Sequence, residues 1–220
     1  MQRRSLLRTA GLATGTAAFG GLAGVSGIVG RQPVGLIGSA AASDAWPPAV
    51  GEYDMVLGDD DAPVTMIEYA SFTCGHCANF HTESLPTIKE DYIDQGHVRL
   101  IFRDFPLDGM ALRAGLIARA APKSRYFSVV DVMFQQQSRW VQASDPIAAL
   151  SNIALMAGAS QEDIDANLQN EPLADALITL RTEGESRYQV SATPTFVIEG
   201  EVISGNMPLA DMQSTLDSHI

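Results

Sequence analysis

The chain has 220 residues, 46% of them hydrophobic, with 14 Lys and Arg against 26 Asp and Glu and a formal net charge of −12. That length allows one domain with an insertion, or two small ones, and the apolar share is ample for a packed core. So acidic a balance favours solubility and argues against nucleic acid as a partner, because a binder needs clustered Lys and Arg to neutralise phosphates.

The amino end opens with Arg3-Arg4 and Ser5-Leu6-Leu7-Arg8, followed by a Gly, Ala, Leu and Val stretch from Thr9 to Gly30 without a charge. This reads as a twin-arginine-like export signal over residues 1–42, with Ala40 and Ala42 suited to the sites flanking a cut near Ala42. The stretch also reaches the roughly 20 residues that span a bilayer, so a retained membrane anchor is the alternative. Its many glycines speak against a stable anchor helix. Loss of residues 1–42 removes four arginines and no acid, which takes the formal charge to −16.

Residues 43–62 form an amino-terminal extension in which Pro47-Pro48 ends the leader and Asp59-Asp60-Asp61 makes a polar loop. Val64 to Ala70 is a short apolar run rich in strand formers, which predicts a buried central strand. Cys77, Phe80, Leu85, Ile88 and Tyr92 then recur at helical spacing until Gly96, with a kink expected at Pro86. Val98 to Phe105 reads as a second strand, giving a right-handed parallel crossover over residues 63–106.

Residues 107–188 read as a helical insert of five pieces: 111–121, 125–140, 147–157, 161–169 and 173–188. Ser144-Asp145-Pro146 places cap residues before a proline suited to a first turn. Ser160 to Asp163 has the form of a capping box, and Gly158 ends the helix before it. In 189–220, Thr195 to Ile198 and Glu201 to Ser204 form a hairpin around Glu199-Gly200. Asn206 or Met207 caps a last helix that starts at Pro208 and carries Leu209, Met212 and Leu216 on one face.

The two cysteines of the chain lie in one tetrad, Cys74-Gly75-His76-Cys77. Two thiols at this spacing at the start of a helix suit disulfide exchange, and an exported compartment is where disulfides are made. A Cys74 thiolate there meets unsatisfied backbone donors and the positive end of the helix dipole, which lowers its pKa. His76 can add a hydrogen bond or partial positive charge near the sulfur. Cys77, one turn deeper, closes the ring.

Other uses of the pair fit less well. Structural zinc would have to recruit His81, His97 or His219 as further ligands. Covalent haem attachment needs a histidine where Ala78 stands. A structural disulfide across so short a loop constrains the unfolded chain little.

The phrase from Glu68 to Cys77, the stretch Phe102-Arg103-Asp104-Phe105-Pro106-Leu107 and Ala192-Thr193-Pro194-Thr195-Phe196 occur in this order. Together they resemble the DsbA-like thiol-disulfide oxidoreductases. The resemblance spans the chain from about Asp54 to its end and implies an α/β thioredoxin fold, strand-helix-strand and then hairpin-helix, with a helical insertion. It implies that Glu68 is a buried acid, its pKa raised by an apolar setting, that exchanges a proton with Cys77. It also implies a cis bond at Thr193-Pro194, with Thr193, Pro194 and Gly75 contacting an extended substrate.

No cofactor or metal is expected. Expected partners are unfolded or reduced exported proteins and a membrane redox partner, DsbB-like for an oxidase or DsbD-like for an isomerase. The expected setting is the periplasm, and the short extension and large insert suit a monomer. Trp140, Met133 and Phe134 read as core rather than groove, and His81 and Arg103-Asp104 as packing.

The expected activity is an oxidase that introduces disulfides through Cys74 and Cys77. Two departures point instead to an isomerase or reductase: Gly75 makes the tetrad that of protein disulfide isomerases, and Thr193 resembles their residue before the cis proline. A redox-silent chaperone or peptide-binding module is a further alternative. Relatives that perform glutathione-dependent isomerisation of small molecules lack the second cysteine, which this chain keeps.

Overall fold

Val64 to Ala70 forms a strand buried along its whole length, as its mostly apolar character suits a strand covered on both faces. The computed structural model describes residues 46–220; the expected export signal and its cut lie outside the described residues. The sheet runs in the order β1-β3-β2-β4-β5, with β1 Met55–Leu57, β2 Val64–Ala70, β3 Val98–Asp104, β4 Thr195–Ile198 and β5 Glu201–Ser204. The β2 and β3 strands are parallel, and the other pairs are antiparallel.

No strand was expected before Val64, yet β1 pairs Met55 with Phe102 and Leu57 with Leu100. Three residues carry too little alternation to be read from sequence, and the pairing covers an otherwise open edge of β3. Gly58 ends this strand at φ +104, where an added Cβ would lie 2.8 Å from the Val98 carbonyl oxygen. Only glycine fits so close a left-handed turn.

From Gly75 to Ile93 the chain stays helical but changes pitch. Helix α1 (Gly75–Asn79) leads into a wide π turn, Phe80–Ser84, then α2 (Leu85–Ile88) and a second wide turn, Lys89–Ile93. Pro86 has no N–H to offer and its ring crowds the carbonyl four residues back, so the expected kink takes the form of widened turns. The Leu85 amide accordingly bonds to the Phe80 carbonyl, five residues back.

The insert follows the sequence closely: α3 Gly109–Ala118, α4 Tyr126–Gln135, α5 Gln137–Val141, α6 Pro146–Met156, α7 Gln161–Leu168 and α8 Glu171–Tyr188. The single helix expected over 125–140 is instead α4 and α5, broken at Gln136. Asp145 caps α6 by accepting from the Ala148 amide, and the Ser160 hydroxyl accepts from the Asp163 amide to cap α7. The hairpin turn has Glu199 and Gly200 at φ 46 and 89, the paired positive values of a tight hairpin turn. The last helix, α9 (Leu209–Asp217), has Pro208 itself at the capping position and no side-chain cap, so neither Asn206 nor Met207 fills that role.

Alternation along β2 divides the core. Ile67 and Tyr69 pack on one face with Ile101, Phe105, Val190 and Val197. Val64 and Met66 face the other way, against Phe80, Ile88, Met212 and Leu216 of α2, α9 and the first wide turn. Ala70 on that second face joins Phe72, Phe102, Phe134 and Trp140, so Trp140, Met133 and Phe134 are core. Glu68 lies between Met66 and Ala70 and therefore also points to this second face.

Candidate active site

Cys74 caps the amino end of α1 with an extended backbone, and its carbonyl accepts the Ala78 amide. Cys77 is fully buried one turn in, while Gly75 and His76 are exposed. Both cysteines are free thiols. The loop before them is tied to its surroundings: the Cys74 amide donates to the Ser71 carbonyl, and the Thr73 hydroxyl donates to Asp108, which also caps α3.

The two thiols differ in acidity. Cys74 is lowered to about 5, chiefly by a hydrogen bond from the Cys77 thiol; burial opposes this, and the Thr193 side chain and the Cys77 and His76 amides add to it. Cys77 is pushed up by burial first, then by sharing its proton with Cys74 and by the charge of Glu68. One sulfur is thus an anion at neutral pH and the other a thiol held beneath it. The expectation for His76 changes in kind: its contribution to Cys74 comes through the backbone amide at the helix start, and its ring lies in an exposed residue.

Across from the tetrad the Thr193–Pro194 bond is cis. The Cys74 Sγ lies 3.2 Å from the Thr193 carbonyl oxygen and donates to it when protonated. That contact favours the neutral thiol, yet the amides and Cys77 outweigh it. The Thr193 hydroxyl is buried without a hydrogen-bond partner. Pro194 is buried, and its carbonyl accepts the Gly205 amide, which fixes the loop against the hairpin end.

Glu68 is fully buried in β2, flanked in register by Phe102 of β3 and Phe196 of β4. Its oxygens lie 3.2 and 3.1 Å from Nε2 of His81, itself buried. Sequence reasoning passed over His81 as packing. Its signal was the four-residue step from Cys77, which puts both side chains on one helix face above the same strand. A second residue was missed altogether: Gln137, at the start of α5, donates from Nε2 to the carbonyls of Phe72 and Cys74 at 2.7 and 2.9 Å. A lone glutamine on a helical insert has no local feature that marks it.

Among the described residues no group of His, Cys, Asp and Glu is arranged to hold a metal ion, and no helix is long and apolar enough to cross a membrane.

A family model described as thioredoxin matches residues 51–218. The chain is similar to Wolbachia pipientis α-DsbA1, whose crystal structure superposes with a TM-score of 0.71 at 29% identity over 77% of this chain and 92% of that one. Bacillus subtilis BdbD has the same fold, with a TM-score of 0.68 at 24% identity over 76% of this chain and 92% of that one. Among curated relatives, disulfide bond formation protein D of Bacillus subtilis is 25% identical over 171 residues, 75% of this chain and 76% of that protein. A Rickettsia bellii protein provisionally named a protein-disulfide oxidoreductase is 27% identical over 172 residues, covering 78% of this chain and 66% of its own length. For a Rickettsia conorii protein that last share is 61%, so the chain spans slightly under two thirds of the length of these two Rickettsia relatives.

Fold and site together define a class, thioredoxin-fold proteins with a dithiol at a helix start and a helical insert after the second central strand. The chain belongs to the thioredoxin family, within its DsbA-like thiol-disulfide oxidoreductases.

Proposed function

We propose that this protein is an exported thiol-disulfide oxidoreductase that acts as an oxidase, introducing disulfides into unfolded proteins of the periplasm. The observation that carries the reading is the opposed acidity of its thiols, Cys74 lowered to about 5 beside a Cys77 pushed up. A substrate thiolate attacks Sγ of Cys74 in the oxidised enzyme; the bond to Cys77 breaks and Cys77 leaves with the electron pair. A second substrate thiolate attacks the substrate sulfur of this mixed disulfide, and Cys74 departs as a stabilised thiolate. The substrate loses two electrons and the enzyme gains them. Because the thiolate is stabilised only in the reduced protein, the couple is driven towards oxidising its substrates.

In this reading Cys74 is the attacked sulfur and Cys77 the ring-closing one, with His76 and Gly75 supplying the turn and amides around Cys74. Glu68 exchanges the Cys77 proton. Thr193 and Pro194 form the wall along which an extended substrate lies. A membrane partner of the DsbB kind reoxidises the dithiol, the protein works as a monomer, and residues 1–42 direct export. The name of the Bacillus subtilis relative, a disulfide bond formation protein, supports the oxidase direction.

An isomerase or reductase kept reduced by a DsbD-like donor is the second reading, favoured by the Gly75-His76 pair and by Thr193. Equilibration of Cys74 and Cys77 with glutathione, followed by alkylation, separates the two. A potential near about −120 mV supports the oxidase, and one near about −270 mV, the thioredoxin range, sinks it.

A further inference from the structure

Below Cys77 lies a chain of three ionisable groups that ends at the surface. Glu68 meets Nε2 of His81 at 3.1 Å, and Nδ1 of the same ring lies 3.6 Å from a carboxylate oxygen of Asp131 on α4. The Glu68 and His81 side chains have no exposure, whereas that of Asp131 is 41% exposed. Nδ1 has no hydrogen-bond partner within reach. The ring is held on three sides, stacked on Phe134 at 4.3 Å between centroids and edge-on to Phe80 and Phe102. It therefore keeps Nε2 towards Glu68 and Nδ1 towards Asp131.

Resting on the thiol-disulfide reading of the site, we propose that His81 is a positioning residue that keeps the buried Glu68 pair neutral through the redox cycle, exchanging its Nδ1 proton with solvent through Asp131. In the reduced protein Cys77 is a thiol, Glu68 a carboxylate and His81 an imidazolium. When a mixed disulfide on Cys74 is to be resolved, the Cys77 proton passes to Glu68 and the Cys77 sulfur attacks Cys74. The bond between Cys74 and the departing thiol breaks, and that thiol leaves with the electron pair. Glu68 is now neutral, and His81 releases its Nδ1 proton by way of Asp131. Reduction runs these transfers backwards: Glu68 returns its proton to the leaving Cys77, and His81 recovers one from solvent.

The physical reason is the cost of an uncompensated charge in a dry site. A Glu68 carboxylate without an imidazolium, or an imidazolium beside a protonated Glu68, would be an isolated buried ion. The acidity of the ring is consistent with this account. Burial alone would lower the pKa of His81, but the charge of Glu68, its hydrogen bond to the ring and the nearby charge of Asp131 lift it to about 9. The ionisable groups around the Glu68–His81 pair are Cys77 of α1 and Asp131 and Tyr126 of α4, and the Tyr126 hydroxyl is itself held neutral by burial.

The test follows ring closure in the full chain. Reduced protein is mixed with oxidised glutathione between pH 6 and 8 and quenched in acid, and the Cys74 mixed disulfide is counted by mass spectrometry. Asp131→Asn should slow ring closure roughly tenfold, since water replaces part of its role, and His81→Gln about a hundredfold, the lower end for general acid–base groups. Both should accumulate the mixed disulfide, and concentrated phosphate buffer should relieve Asp131→Asn while its Cys74 titration stays that of the unaltered protein. Wild-type, buffer-independent closure in Asp131→Asn overturns the proposal, and this surface variant decides the matter even if His81→Gln does not fold. If the unaltered protein itself forms neither mixed disulfide nor ring, the thiol-disulfide reading falls, and this inference with it.

Discussion

The carboxamide of Gln137 donates at once to the carbonyl of Cys74, at 2.9 Å, and to that of Phe72, at 2.7 Å, so that the helical insert grips the active-site turn directly. The insert is thereby part of the site. Removing the donor with Gln137→Ala should cost about 1 kcal/mol, the net worth of a hydrogen bond or slightly more. Gln137→Glu should cost more, because a carboxylate would face two carbonyls and lie near the Cys74 anion. Thermal unfolding of the reduced forms orders the variants, and a higher Cys74 pKa in Gln137→Glu alone would show the charge at work.

Cys74 should titrate near 5, far below the ordinary thiol value of about 8.5. Between these values the unfolded chain binds a proton that the folded one does not, so stability of the reduced protein rises with pH through that window. It is lost as pH falls through about 5, and the disulfide form lacks this dependence. The potential should fall by about 30 mV per pH unit above about pH 5 and by about 60 mV below it, as the second proton joins the reduced form. Absorbance of the thiolate and glutathione equilibria against pH check both statements; a single slope down to pH 4 would contradict them.

Asp54, just before β1, receives both Nε and Nη2 of Arg103, at 2.8 and 2.7 Å, and is buried with it. This pair fastens the amino-terminal segment to β3. Asp54→Ala strands a buried guanidinium and should cost about 3 to 5 kcal/mol. At about 2–4 °C per kcal/mol for a chain of this size, the melting temperature should drop by roughly 10 °C. Calorimetry of the single variant and of Asp54→Ala with Arg103→Met tests it; the double variant should recover much of the loss.

Gly184, near the carboxyl end of α8, lies against Tyr69 so closely that an added Cβ would sit 2.6 Å from Cε1 of the ring. In a free helix Gly→Ala is stabilising by about 1 kcal/mol. Here the sign should reverse, because Tyr69 is fully buried and its hydroxyl accepts a bond from Arg103. Overpacking costs typically about 1–3 kcal/mol. Denaturant unfolding of Gly184→Ala gives the sign directly.

Much of this architecture is local in origin. The mostly apolar run at Val64 to Ala70 made a central strand, Asp145-Pro146 and Ser160 made helix starts, and Glu199-Gly200 made a hairpin turn. Each outcome depends on neighbours within a few residues, which is why sequence alone determined them, together with the tetrad and its place at a helix start. What tertiary structure decided has partners far apart in the chain. Glu68 and His81 are 13 residues apart and Gln137 and Cys74 63 apart, while Asp54 and Arg103 are separated by 49. Strand β1 likewise exists only because an edge of β3 was there to receive it. Burial of an ion or an amide is a property of everything packed around it, and no window of sequence carries that sum.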